Sequence, residues 1–339
     1  MSHDPLRVAI VGSSGHGQRV AAPTITSCPG AVLLGGFGSS EAGSRAFAAH
    51  SSAPKSWHSL ERMLADDHVE AVWICSPNSM HADHVVATAA AGKHVLVEKP
   101  LAITSADAER AVAAARSAGV ILRVVYQHRF RPAHLRIREL LHAGEIGSVG
   151  YVRIHRFWPY PYYPDMPPEP PAWRRVRETS GGWAINDIGT HLIDLAQWLT
   201  GSRPRLIGAA LASQKFDVAT EDSMAVLLGF GEATIGLVEA SAANLSPCSR
   251  IELYGSNGWL RADDTFWSDC RIETQRGVIG EYPRIDHLVP YGALFADFVQ
   301  AARGGTSIAA TGEDGAAVAA VIQDALDTGT KLRRAQFGA

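Results

Sequence analysis

Lys99, Asp187 and His191 have the side-chain types that move a proton on or off an oxygen. Lys99 stands in Val97-Glu98-Lys99-Pro100, directly after the apolar run Val95–Val97. The C-terminal end of a buried parallel strand faces the crevice where ligands bind, and the proline that follows restricts Lys99 to an extended backbone. Asp187 and His191 lie in Gly181-Gly182-Trp183-Ala184-Ile185-Asn186-Asp187-Ile188-Gly189-Thr190-His191-Leu192-Ile193-Asp194. Read as a helix, this segment aligns Asp187, His191 and Asp194 at i, i+4 and i+7, with Ile188, Leu192, Leu195 and Leu199 on the neighbouring stripe. The helix then packs through its apolar side and shows an acid and an imidazole at its edge. Plainer roles stay open: a solvated turn lysine, and a satisfied histidine beside the core. Asp194 reads as structural. Neither Asp187, His191 and Asp194 nor His81 and His84 have an independent further ligand set, so no metal is expected.

A second chemical signal sits at the start of the chain. The strand-like run Leu6–Val11 leads into Gly12-Ser13-Ser14-Gly15-His16-Gly17. A dinucleotide-binding turn of the form GxGxxG would carry glycine at 12, 14 and 17. Gly12 suits the tight turn and Gly17 the close helix packing, but Ser14 narrows the backbone approach to a pyrophosphate. Alone, the pattern also fits a structural glycine turn. At the end of the second strand, where NAD-selective sites hold Asp or Glu, the chain reads Gly38-Ser39-Ser40. Ser39 and Ser40 suit a 2′-phosphate, with Arg45 as a nearby charge, so NADP is expected first and NAD second. The alternative is that these serines cap the next helix.

The elements that must position these groups follow from the hydrophobic pattern. Apolar runs at Leu6–Val11, Val32–Phe37, Ala71–Cys75, Val95–Val97 and Val120–Tyr126 alternate with helical stretches such as Met80–Ala91 and Ala106–Ser117. Thr104 and Asp107 have capping-box spacing before the latter, and Gly119 stops it. Continuous apolar strands separated by helices indicate a parallel sheet covered on both faces. After about residue 127 the pattern changes. A helix at Pro132–Ala143 precedes strand candidates at Tyr151–Trp158, Leu206–Leu211, Ser223–Phe230, Ala233–Ala240, Arg250–Tyr254 and Trp259–Ala262, joined by glycine and asparagine turns. An Ala-rich helix is expected at Glu313–Thr328. The predicted fold is an α/β Rossmann domain over residues 1–126 and an α+β domain with an open, mostly antiparallel sheet over residues 127–339.

Composition narrows the partners. The chain has 339 residues, 46% hydrophobic and 19% charged, with a net charge of −3. That balance supports a packed core and supplies no basic field for nucleic acid or an anionic membrane. The opening MSHDPLRVAIVG lacks a signal-peptide pattern, and no run of about 18 apolar residues appears. Cys28, Cys75, Cys248 and Cys270 form no CxxC pair, as expected for reduced thiols in a cytoplasmic protein.

Taken in order, the glycine turn, Ser76-Pro77-Asn78 with His81, Glu98-Lys99-Pro100, and Gly-Gly…Asp-x-Gly-x-His-x-x-Asp resemble the Gfo/Idh/MocA oxidoreductases. The resemblance runs over nearly the whole chain, including Glu221-Asp222 and Gly312-Glu313-Asp314-Gly315. In Trp173-Arg174 and the diglycine after it, the chain is similar to the NADP-using sugar reductases of that family. The family implies hydride transfer between nicotinamide and a sugar, keto-sugar or cyclitol carbon, and a homodimer or homotetramer built through the open sheet. By position, Lys99, Asp187 and His191 match its catalytic set. Gly12, Gly17, Ser76, Pro77, Asn78, His81, Glu98 and Lys99 fall at its cofactor contacts. Ser14 and the carboxylate-free end of the second strand depart from the pattern.

Such a transfer must also move the hydroxyl proton. His191, with an ordinary pKa near 6.5, suits that shuttle, and Lys99 suits the substrate oxygen. Which of the two takes the proton stays open. On the substrate side, Gln127 and Arg129 follow Tyr126 at the domain junction. Seven of the 18 prolines fall between Pro159 and Pro171, among Phe157, Trp158, Tyr160, Tyr162, Tyr163 and Trp173. Aromatic faces with polar handles suit a sugar, so Trp158, Tyr160 and Trp173 join Gln127, Arg129, Lys99, Asp187 and His191 as candidate substrate contacts. A subunit contact is the alternative for this segment. Two other functions remain in view: an NAD(P)-sensing regulator and a nicotinamide-assisted glycosidase.

Overall fold

The apolar runs of the first third form one parallel sheet. In the computed structural model, which describes residues 4–162, 166–216, 218–243, 246–266 and 269–333, these strands are β1 (Leu6–Val11), β2 (Ala31–Phe37), β3 (Lys55–Trp57), β4 (Ala71–Ile74), β5 (His94–Glu98) and β6 (Leu122–Val125). Their order is β6-β5-β4-β1-β2-β3, all parallel, with the short strand Ala310–Thr311 added antiparallel beside β6. This doubly wound order reverses direction between β1 and β4, the switch point at which ligands bind. All four residues of β4 are buried, as a strand covered on both faces requires. The helix Ser105–Ala118 begins as expected: Thr104 Oγ1 accepts the Asp107 amide at 3.1 Å, and Gly119 ends it at φ +66°.

Contact density divides the chain into two compact units: residues 1–130 with 287–316, and residues 131–286 with 317–339. This division is discontinuous, unlike the single break after residue 126 read from the pattern. The reason is the helix Leu288–Ala302, whose Phe295 stacks on Trp73 with centroids 5.4 Å apart and joins Leu6, Ile10 and Ile25 in the first unit's core. Arg303 reaches Glu70 at 3.0 Å, and Arg129 reaches Asp314 at 3.2 Å.

The second unit starts with the helix Pro132–His142. Its sheet contains β7 (Val149–Phe157), β8 (Pro204–Ser213), β9 (Ser223–Phe230), β10 (Thr234–Ser241), β11 (Cys248–Gly255), β12 (Gly258–Asp263), β13 (Cys270–Thr274) and β14 (Gly277–Tyr282), plus Thr330–Arg333. The order is β14-β13-β12-β11-β7-β10-β9-β8 and then Thr330–Arg333. Two neighbouring pairs, β7 with β10 and β8 with the last strand, are parallel; the others are antiparallel. Alternation is clear on β7, where Val152, Ile154 and Arg156 are buried and their neighbours are not. The buried face takes the helix Thr190–Thr200, in which every residue from Thr190 to Leu199 is buried.

Candidate active site

The glycine turn is shaped by close approach. Gly12 has φ +91°, and a Cβ there would lie 2.5 Å from the Cys75 carbonyl carbon and oxygen and 2.7 Å from the Ser76 nitrogen. A Cβ on Gly17 would fall 2.0 Å from the Gly12 oxygen. Both positions therefore exclude any side chain. Ser14 is exposed, and its carbonyl accepts the Gly17 amide at 3.0 Å, so the departure at position 14 leaves the turn intact. The Cβ position at 12 is taken by the Cys75–Ser76 backbone, so glycine there lets the turn after β1 close against the end of β4.

His81 ties the neighbouring turns together. It is 1% exposed; Nε2 lies 2.8 Å from the Ser76 carbonyl oxygen and Nδ1 2.7 Å from that of Pro100. Burial pushes its pKa down, against the pull of those carbonyls. His81 thus orders the Ser76 and Lys99-Pro100 turns from within. Ser76 Oγ meets His84 Nδ1 at 2.8 Å, while Pro77 and Asn78 open a short helical turn, Asn78–Met80. Glu98 is buried, with Oε1 3.0 Å from His16 Nε2 in the glycine turn. Burial opposes its charge, but His16, Lys99 and His81 together hold its carboxyl below the ordinary range. Lys99, half-buried, follows it at the end of β5.

At the end of β2, Ser39 and Ser40 are exposed. Ser40 Oγ accepts the Gly43 amide at 3.1 Å as the N-cap of the helix Glu41–Ser51. Arg45 pairs with Glu41 on that helix, not with the serines. The capping alternative thus describes Ser40, whose hydroxyl hydrogen is not used by this cap.

In the second unit the segment around Asp187 is not a plain α-helix. Ile185–Gly189 forms a π-helical turn that continues into Thr190–Thr200. The wider turn changes the expected i, i+4, i+7 stripe, because Asp187 lies in the π turn and His191 in the α-helix after it. Gly189 allows the segment to lie on β9, since a Cβ there would come 2.5 Å from Met224 Cε. Asp187 is partly buried, and Arg174 Nη2 stands 3.0 Å from its Oδ2. Tyr162 hydrogen-bonds Asp187 and accepts from Trp183 Nε1 at 3.1 Å; burial, then the Asp187 charge, push its phenol well up. Arg174 also lies over Trp173, 4.7 Å from the ring centroid, and 5.4 Å from that of Tyr162. His191 is 5% exposed. Asp194 is buried and accepts from Gln197 at 3.0 Å.

Two substrate candidates, Arg129 and Tyr160, are buried. Arg129 is 4% exposed, and its guanidinium is engaged by Asp314 and the Ile308 carbonyl, so it secures residues 308–314 to the first unit. Tyr160 is 1% exposed, packs edge-on against Trp183 and Phe216, and donates to the Glu169 carbonyl at 3.2 Å; it is a core residue. Gln127 is also buried. Trp158 is half-buried and stacks on Tyr162 at 4.5 Å, while Trp173 is exposed. Tyr163 and Pro164 lie outside the described residues.

The pattern reading passed over Arg174, Tyr162 and Glu221 as site residues. Glu221 is buried, and its Oε1 accepts the Ile185 amide at 2.9 Å, at the start of the Asp187 segment. Burial pushes its carboxyl up to about 7, against hydrogen bonds from backbone amides. Its adjacency to Asp222 was the only signal available, and it does not reveal a contact 36 residues away. Among the described residues no group of three or more His, Cys, Asp or Glu has metal-binding geometry.

Residues 6–126 match the oxidoreductase family with an NAD-binding Rossmann fold, and residues 134–261 match the GFO/IDH/MocA C-terminal domain. The chain belongs to the GFO/IDH/MocA family. It is therefore an NAD(P)-dependent oxidoreductase, with the Rossmann unit and second sheet characteristic of that family. It is 29% identical over 313 residues to 1,5-anhydro-D-fructose reductase of Ensifer adhaerens, covering 91% of this chain and 92% of that one. Over 270 residues it is 28% identical to myo-inositol 2-dehydrogenase of Thermotoga maritima, covering 77% and 78%. The crystal structure of GenD2 from gentamicin A biosynthesis, in complex with NAD, superposes with TM-score 0.81 at 26% identity, covering 96% and 95%. These relatives give no support to the regulator or glycosidase alternatives.

Proposed function

We propose that this oxidoreductase transfers hydride between NADP and a carbinol or carbonyl carbon of a sugar, keto-sugar or cyclitol, with Lys99, Asp187 and His191 as its catalytic residues. The observation that carries the reading is Asp187, held by Arg174 and Tyr162 one turn before His191, in a chain whose relatives act on sugars and cyclitols. NADP, when bound, supplies or accepts the hydride. Gly12, Gly17, Ser76, Pro77, Asn78 and Glu98 would hold it, with His81 ordering their turns. Ser39 and Ser40, exposed where no carboxylate stands, support NADP over NAD. His191 moves the substrate hydroxyl proton, and Lys99 hydrogen-bonds the oxygen that bears it. Arg174 and Tyr162 keep the Asp187 carboxylate aimed. Trp158 and Trp173 offer aromatic surface for a sugar's apolar face.

Screening absorbance at 340 nm and thermal shift with NAD(H) and NADP(H) against sugars, keto-sugars and cyclitols tests the reading. His191→Ala and Lys99→Met should lower kcat by about 10²–10⁴-fold, with cofactor binding retained. Stabilisation by neither cofactor, or wild-type turnover in both variants, would overturn it.

A homodimer or homotetramer is inferred through the outer face of the second sheet. Leu227, Ile235 and Tyr254 are exposed there beside the ion pairs Arg153–Glu239 and Arg261–Glu273. Sedimentation showing a monomer at micromolar concentration would remove this inference. A cytoplasmic location is the reading that the four free cysteines support, and secretion of the native protein would contradict it. No helix among the described residues is long and apolar enough to cross a membrane.

A further inference from the structure

Three consecutive buried side chains, Thr220, Glu221 and Asp222, hold three separate pieces of the second unit. Thr220 Oγ1 donates to the Arg174 carbonyl at 3.1 Å, fixing the backbone of the residue that pairs with Asp187. Glu221 accepts the Ile185 amide at 2.9 Å, and its own carbonyl accepts the Ala184 amide at 3.1 Å. Asp222 gathers the amides of Gln214, Lys215 and Phe216 at 2.8–3.1 Å. Phe216 then lies 5.0 Å from Trp183, whose indole N–H bonds Tyr162. Every partner of Asp187 described above therefore traces back to this tripeptide.

We propose that Glu221 is a positioning residue for the reaction: by anchoring Ile185 it sets where the π turn begins, and hence where Asp187 and His191 stand. The inference rests on the catalytic reading of those two residues. Glu221 is buried and acts through the Ile185 amide that it accepts. Without this acceptor the buried Ile185 amide is left unsatisfied, which favours a different start to the turn. Gly182 leaves no slack on the other side, since a Cβ there would meet Ile185 Cγ2 at 2.8 Å and Glu221 Oε1 at 3.4 Å.

The test uses Glu221→Ala, with Glu221→Asp, shorter by one methylene, in case the alanine variant fails to fold. Glu221→Gln keeps the acceptor. The first two should lower kcat by about 10–100-fold, because small misplacements of catalytic groups cost that much. Their KM for the nicotinamide cofactor should stay within about two-fold, and Glu221→Gln should restore most of kcat. Hydrogen–deuterium exchange of peptides covering residues 183–191 gives a readout independent of turnover, and should rise in Glu221→Ala or Glu221→Asp but not in Glu221→Gln. Wild-type kcat despite faster local exchange would overturn the positioning role, and unchanged exchange would overturn the anchor. Full turnover by Asp187→Ala and His191→Ala with normal exchange would instead reject the catalytic reading and leave the anchor standing.

Discussion

Replacing Glu221 with glutamine should change how the stability of the protein depends on pH. The side chain is 5% exposed, and burial lifts its carboxyl from the ordinary 4.5 to about 7. The folded chain therefore keeps this proton at pH values where the unfolded chain has lost it. Stability from this group is fully present below about pH 4.5, falls through the interval to about pH 7, and is level above it. Between pH 5 and pH 8 the loss amounts to about 2.5 kcal/mol, at 1.36 kcal/mol for each tenfold change in proton affinity. Glutamine resembles the neutral carboxyl and carries no such dependence. The melting temperature of Glu221→Gln relative to wild type should rise by about 3–4 °C between pH 5 and pH 8, for a chain of this size melting as one. Differential scanning fluorimetry of both proteins in matched buffers measures it. Parallel profiles for the two proteins would refute the buried, proton-holding state of Glu221.

Ser40→Ala removes the cap on the Gly43 amide and should cost about 1 kcal/mol of stability, read as a lower melting temperature; no loss would deny the cap. Ser39→Asp restores a carboxylate to the end of β2 and should move the NADP-to-NAD affinity ratio at least about ten-fold toward NAD, since it repels a 2′-phosphate. An unchanged ratio in a binding titration would reject the proposed selectivity. Arg129→Met leaves Asp314 without its buried partner and should destabilise by about 3 kcal/mol while leaving substrate KM unaltered. A raised KM with unchanged melting temperature would return Arg129 to the substrate side.

Short-range physics made much of the architecture legible from the chain alone. Continuous apolar runs mark strands covered on both faces, and β1, β2, β4, β5 and β6 lie where those runs do. Thr104, Asp107 and Gly119 bound their helix through local hydrogen bonds and a left-handed φ. The demand for glycine at 12 and 17 is equally local, a matter of backbone contact within one turn and the strand beside it. The strand β3 has three residues, and the helix Leu288–Ala302 packs into a core whose other members lie far away in the chain. Neither carries a periodic signal that assigns it to the first unit.

The site divides in the same way. Lys99, Asp187 and His191 are proposed on type, spacing and motif order. Tertiary structure alone decided what surrounds them. Arg174 lies 3.0 Å from Asp187 across 13 residues of chain, and Glu221 reaches Ile185 across 36. Tertiary structure also buries Arg129 and Tyr160, polar-tipped residues beside promising motifs. Residue type and spacing specify which groups are able to do chemistry, because those properties are intrinsic or local. Which groups face one another, and with how much water, depends on long-range packing that no local pattern records.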